Sequence, residues 1–187
     1  MILRTQLTPL FDQYNVDVVL QGHDHTYSRS KILYGDGQTH DNYKFQLMPD
    51  GSDYDWAHAF DVTTQAQITL EPEESDQSGQ KALEKFQNDN KCYTIESTQG
   101  DTVTNPKGTL YMTANSASGS KYYELISAQQ DYIAKRSQNW LPSYSVIDMT
   151  KDHFAITTYQ ITEDNQVVPI DDTFTIQKSG TDTSADT

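Results

Sequence analysis

Cysteine is almost missing from this chain: Cys92 is the only one in 187 residues. A single thiol excludes an intrachain disulfide framework. With no other Cys or His at short spacing, it also argues against a zinc knuckle or a thiol nucleophile. Cationic residues are scarce as well. Lys and Arg number 13 against 27 Asp and Glu, a formal net charge of -14. Such a chain repels a phosphate backbone unless it concentrates its basic residues, and no basic run occurs, so nucleic acid is excluded as a partner. Long apolar runs are absent too. No window approaches the roughly 18 residues that a membrane-spanning helix needs. Residues 1–4, Met-Ile-Leu-Arg, show neither the basic-then-apolar pattern nor the cleavage site of a secretory leader.

What is present is aromatic and neutral polar. Twelve Tyr and 6 Phe supply packing material although hydrophobic residues make up only 35%. That balance describes a strand-rich globular unit with a wet surface rather than a charge-rich disordered chain.

Ile2, Leu3, Leu7, Leu10, Phe11 and Tyr14 recur at spacings of three and four, which predicts an amphipathic helix over 2–14. Pro9 either kinks it or opens a second short helix capped by Thr8, and Asn15 suits a left-handed stop. Residues 16–20, V-D-V-V-L, predict a strand buried in an α/β sheet. The polar segment Q-G-H-D-H-T-Y-S-R-S (21–30) then falls at the carboxyl end of that strand, where α/β folds place their chemistry. Short strands are predicted at 31–34, 62–70, 92–97 and 108–114, with a small-residue loop at 115–120. Residues 35–58 read as a polar surface excursion, 71–91 as an acidic stretch with one or two helical turns, and 127–136 as a short helix. Strands at 144–149, 153–161 and 174–177, separated by tight turns, form an antiparallel meander. Residues 179–187 have nothing to bury and are expected to be disordered.

Of five histidines, His23 and His25 carry the chemical signal. Gly22 lets the backbone turn sharply as the strand ends. Two imidazoles one residue apart can then serve one metal ion or two adjacent ones. His40 and His58 lie in polar excursions and read as exposed loop residues. His153 opens a strand beside Phe154 and reads as half-buried structure. Two ligands do not make a site, since zinc takes about four donors. No carboxylate stands in a second recognisable ligand motif.

Residues 3–30 resemble the C-terminal part of the catalytic domain of calcineurin-like metallophosphoesterases. The H-x-Y-x-R extension, here His25, Tyr27 and Arg29, is similar to the purple acid phosphatase branch. G-T-L-Y-M-T-A-N-S-A-S-G-S-K-Y-Y (108–123) and the closing strands resemble bacterial members of that branch. The resemblance implies the C-terminal portion of a four-layer α/β/β/α sandwich, mostly mixed and antiparallel β in this part. It makes residues 1–178 an incomplete catalytic domain with a polar insertion at about 35–107, followed by the 179–187 tail. It implies hydrolysis of phosphate esters at two metal ions, iron with zinc, manganese or iron, with His23 and His25 as two of the ligands. The other ligands would come from segments this chain does not contain. Isolated, it would then be inactive and bind metal weakly or not at all. Asp24, Tyr27 and Arg29 become candidates to support the ligands, and Asn115, Ser116 and Ser118 to line a substrate mouth. The partners implied are the missing N-terminal part of the domain and a phosphate ester. Exposed sheet or helix faces would favour self-association, and secretion or a cell-surface location is the expectation for the intact protein.

Two alternatives stand beside this. One is a β-rich binding or accessory module whose G-H-D-H is incidental or holds a single structural metal. The other is a self-contained hydrolase that combines His23 and His25 with carboxylates such as Asp36, Asp41 or Asp55.

Overall fold

A computed structural model of the chain describes residues 2–97, 99–119, 121–125 and 130–180. Helix α1 (Ile2–Gln13) leads into strands β1 (Val18–Gln21), β2 (Tyr27–Ser30), β3 (Leu33–Gly35) and β4 (Tyr43–Lys44). A hairpin of β5 (His58–Asp61) and β6 (Ala66–Thr69) precedes helix α2 (Gln77–Asp89) and the short strands β7 (Tyr93–Ile95) and β8 (Thr102–Thr104). Then come β9 (Leu110–Ala114), β10 (Ile133–Ser137), β11 (Ser143–Met149), β12 (His153–Ile161), β13 (Val167–Pro169) and β14 (Phe174–Gln177). The protein is thus mixed α/β, with several sheets and, among the described residues, two helices. Neither helix is long and apolar enough to cross a membrane.

The chain divides into two units, residues 1–13 with 35–94, and residues 14–34 with 95–187. The first carries the antiparallel sheet β4-β5-β6. Its core joins Tyr43, Ala59, Ile68 and Phe86, with Phe45, Ala82 and Leu83 packed against them. Helix α2 is longer than the one or two turns expected. Asp76 caps it, its carboxylate accepting the Gly79 N–H at 2.9 Å, and Phe86 fixes its buried face;. A cap plus one aromatic anchor extended a weak local pattern. Helix α1 runs through Pro9 as one element. Its apolar stripe is only partly covered, with Leu7 and Leu10 exposed.

The second unit contains two sheets that share one core. The first has the order β1-β9-β2-β10, with β1 parallel to β9 and the other neighbours antiparallel. The second has the order β11-β12-β14-β8, with β13 on β12. Tyr27, Leu110 and Met112 of the first sheet bury against Val103, Ile156, Phe174 and Ile176 of the second. The meander is as expected, and His153 is half-buried at the start of β12, its Nδ1 2.9 Å from the Gln177 amide.

Three expectations need correction. Residues 133–136, placed in a helix, belong to β10, because pairing with β2 satisfies their backbone where the local helical signal was weak;. The part of that segment at 127–129 lies outside the described residues. Strand β1 is not fully buried: it is an edge strand, and Leu20 is exposed. Ser179, assigned to the disordered tail, exchanges hydrogen bonds with the Asn105 side chain. Residues 181–187 of that tail lie outside the described residues.

Candidate metal-binding loop

The segment 22–26 carries the chain from the end of β1, past β9, to the start of β2. Because β1 and β9 are parallel, residues 115–119 leave from the same end of the pair. The sharp turn does not fall on Gly22 as the sequence suggested. His23 itself holds the left-handed conformation, at φ 75°. A non-glycine residue pays about 1–3 kcal/mol for such a backbone, and strain of this kind concentrates at functional loops. His23 projects outward, its side chain 90% exposed, with Nδ1 3.5 Å from the Asp24 carboxylate.

His25 is held far more firmly. Its Nδ1 lies 2.6 Å from the backbone carbonyl of Lys121. A carbonyl only accepts, so Nδ1 is the donor in this bond and Nε2 is the ring nitrogen left over. Its ring packs on Tyr123 with centroids 5.2 Å apart. Its carbonyl accepts the Gln138 amide at 2.6 Å, and the same amide also reaches the Tyr123 carbonyl at 2.6 Å. The bond fixes the ring's orientation through one nitrogen, as a metal-ligating imidazole would require.

Tyr27 and Arg29 point into the interior and meet one carboxylate. The Tyr27 hydroxyl and Arg29 Nε both donate to Asp171 Oδ2 at 2.7 Å. The Arg29 and Asp171 side chains are 4% and 1% exposed. Arg29 Nη2 also reaches the half-exposed Asp101 at 3.1 Å, and its guanidinium lies over the Phe174 ring at 4.9 Å. Burial and the bond to Asp171 push the Tyr27 hydroxyl far above its ordinary pKa. For Asp171, burial acts to raise the value, but the bonds from Arg29 and Tyr27 outweigh it and the carboxyl sits below its ordinary pKa. The two residues therefore brace β2 just after His25 and pair locally.

The loop after β9 divides. Asn115 also has a left-handed backbone, φ 70°; its Nδ2 reaches the Leu141 carbonyl at 3.5 Å, while its buried Oδ1 has no hydrogen-bond partner among the described residues. Ser116 is buried and its carbonyl accepts the Ser143 N–H, which ties the loop to β11. Ser118 is exposed. A cavity of about 320 Å³ opens beside the histidine loop, lined among others by Asp24, Ser28, Tyr123, Tyr132 and Arg136. Arg136, Gln138, Lys121 and Asp171 were not anticipated from the sequence. Lys121 acts through a carbonyl, for which no sequence signal exists, and Arg136 sat in a segment read as helix.

His40 and His58 are not the exposed loop residues expected. His40 is largely buried, Nε2 2.8 Å from Asp36 and Nδ1 2.9 Å from the Asp89 carbonyl. His58 Nδ1 sits 2.9 Å from Asp55. Each polar loop folds back to partner its own histidine. Asp36 and Asp55, two of the three carboxylates considered for a self-contained site, are engaged in these pairs. Cys92 is buried near the Thr8 hydroxyl. Among the described residues no group of three or more His, Cys, Asp or Glu converges as a metal site. His23 and His25 thus fit as imidazole donors, but the described residues do not complete a coordination sphere around them. The chain matches no protein-family model and no curated protein.

Proposed function

We propose that this chain contributes two histidine ligands to the metal centre of a phosphoric ester hydrolase of the calcineurin-like metallophosphoesterase type, close to the purple acid phosphatase branch. The remaining donors come from outside the described set. The observation that carries the proposal is the 2.6 Å contact between His25 Nδ1 and the Lys121 carbonyl, which leaves Nε2 as the ring nitrogen that would meet a metal;. The resemblance of residues 3–30 and 108–123 supplies the reaction class, and with it the four-layer sandwich as the fold of the intact domain. When bound, the paired metal ions supply an activated water and a clamp for the phosphate oxygens. The chain's own residues hold and orient. His23 and His25 donate nitrogen, and the Asp171 network fixes β2 behind them.

The second reading, an accessory module with an incidental pair, draws on the full exposure of His23 and the lack of a third donor. Calorimetric titration with Zn²⁺ separates the two. A complete structural zinc site is worth roughly 10–16 kcal/mol, so half of one, about 5–8, corresponds to a Kd between about 1 and 200 μM. The expected result is one weak site, weakened at least about tenfold in His25→Ala, and no turnover of p-nitrophenyl phosphate with added Zn, Mn or Fe. Zinc binding identical in His25→Ala and the wild type would refute the metal role. Submicromolar binding of two ions with ordinary turnover would refute an incomplete centre.

A further inference from the structure

The first unit carries a hairpin extension that the metal chemistry does not use. The Met48 N–H donates to the Asp53 carbonyl and the Asp55 N–H to the Gln46 carbonyl, each at 2.8 Å, and Leu47 bridges Tyr54. In that register Phe45 lies opposite Trp56 and Leu47 opposite Tyr54. All four therefore occupy one face of a two-stranded ribbon. Phe45 is rooted on the Tyr43–Phe86 core cluster. Its ring meets Trp56 edge-on at 4.9 Å, and Tyr54 lies 5.5 Å from Trp56 on the outer side. Outward from Phe45 the face is open, with Leu47 59%, Trp56 56% and Tyr54 47% exposed.

This face is pre-ordered. The indole N–H of Trp56 donates to Asp53 at 3.2 Å, and the same carboxylate oxygen accepts the Tyr54 N–H at 2.7 Å. The tip is closed by Asp50, which accepts the Ser52 N–H and hydroxyl, and by Gly51 at φ 71°. The indole's polar edge is satisfied internally, which leaves its face for an outside group. Within the hairpin itself the charge has one sign. From Phe45 to Gln80 the chain holds eight carboxylates and no Lys or Arg. Among the described residues none of Asp50, Asp53 and Asp55 is ion-paired to a Lys or Arg.

From this we infer that the 45–56 hairpin is a docking surface for a cationic polypeptide segment, one that presents Lys or Arg between apolar side chains. An apolar residue of the partner covers Leu47. Its cations lie over Tyr54 and Trp56, where ring faces attract them, and within reach of Asp53 at the indole edge;. The same carboxylates repel anionic lipid headgroups, so a membrane is the wrong partner for this exposed aromatic face. The inference stands on the first unit alone and is independent of the metal reading.

Fluorescence anisotropy on the full chain tests it, with a labelled peptide of Lys-Leu-Arg-Gly repeats and a control peptide in which Glu replaces every Lys and Arg. The basic peptide is expected to bind saturably. Trp56→Ala is expected to weaken it at least about tenfold and Leu47→Ser at least about threefold, with Trp140→Phe unchanged. Raising salt from about 0.05 to 0.3 M weakens binding further as screening shortens. Unchanged binding in Leu47→Ser, a surface substitution that keeps the core, overturns the inference. So does equal binding of the acidic control, displacement by maltohexaose or chitohexaose, or no saturation below about 1 mM.

Discussion

Replacing Asp171 by Ala removes the acceptor shared by Tyr27 and Arg29. Arg29 then keeps its charge in a site where its side chain is 4% exposed, with the half-exposed Asp101 as its one remaining ionic partner among the described residues. Leaving one member of a buried ion pair unmatched costs about 3–5 kcal/mol. The Asp101 contact recovers little, since an exposed partner is worth about 0–1 kcal/mol. Domains of this size have about 5–15 kcal/mol in total, so a large share of the second unit's stability is at stake. The protein offers a clean reporter, because its two tryptophans, Trp56 and Trp140, fall in different units. In a Trp56→Phe background, urea unfolding followed by Trp140 fluorescence reads the second unit alone. We expect Asp171→Ala to lower stability by about 3–5 kcal/mol and Tyr27→Phe, which loses one bond to a charged acceptor, by about 1.5–3. Joint Arg29→Met and Asp171→Leu should cost much less than the sum of the single changes, because neither charge is then left unpaired. An Asp171→Ala loss under about 1 kcal/mol, or additive single and double effects, would refute the argument that this buried carboxylate braces β2.

Two further predictions concern the same unit. The folded pKa of Asp171 lies below its unfolded value, so its contribution is fully present above about pH 3.9 and is lost as pH falls through the folded value;. Tyr27 has the opposite arm: its raised pKa gives stability present below about pH 10 and lost as pH rises through the folded value;. Urea midpoints of the Trp56→Phe protein across pH should show both arms, and Asp171→Asn should flatten the acid one; an unchanged acid slope counts against the assignment. Gly108 marks a packing limit. A Cβ there falls 2.3 Å from the Leu33 carbonyl oxygen and 2.5 Å from its carbon, both backbone atoms. Gly108→Ala should therefore cost about 1–3 kcal/mol by urea unfolding. Gly22→Ala, which meets nothing within 4 Å, serves as the near-neutral comparison; if the two cost the same, close approach is not why residue 108 is glycine.

Much of the second unit was legible because its signals are local. Alternation over 153–161 and the two-residue turn before it placed β12 and its hairpin partner correctly. The G-H-D-H segment was correctly placed at the carboxyl end of a short β-branched strand. Reading failed where pairing partners lie far along the chain. Residues 133–137 became a strand only by meeting β2, and α2 grew through a cap and one buried phenylalanine. The polar loops hid His40 and His58 because nothing in their spacing announces that Asp36 and Asp55 would fold onto them.

The sequence by itself determined the acidic surface, the absence of a disulfide framework, the closing meander and two histidines at the end of a strand. Composition and short-range periodicity are enough for these. Only the tertiary structure decided what the histidines present to solvent and what stands behind them. The orientation of the His25 ring depends on a carbonyl 96 residues away, and Tyr27 and Arg29 depend on a carboxylate 144 and 142 residues away. Side-chain chemistry supplies the donors, but closing those loops is what gives each of them one partner and one direction.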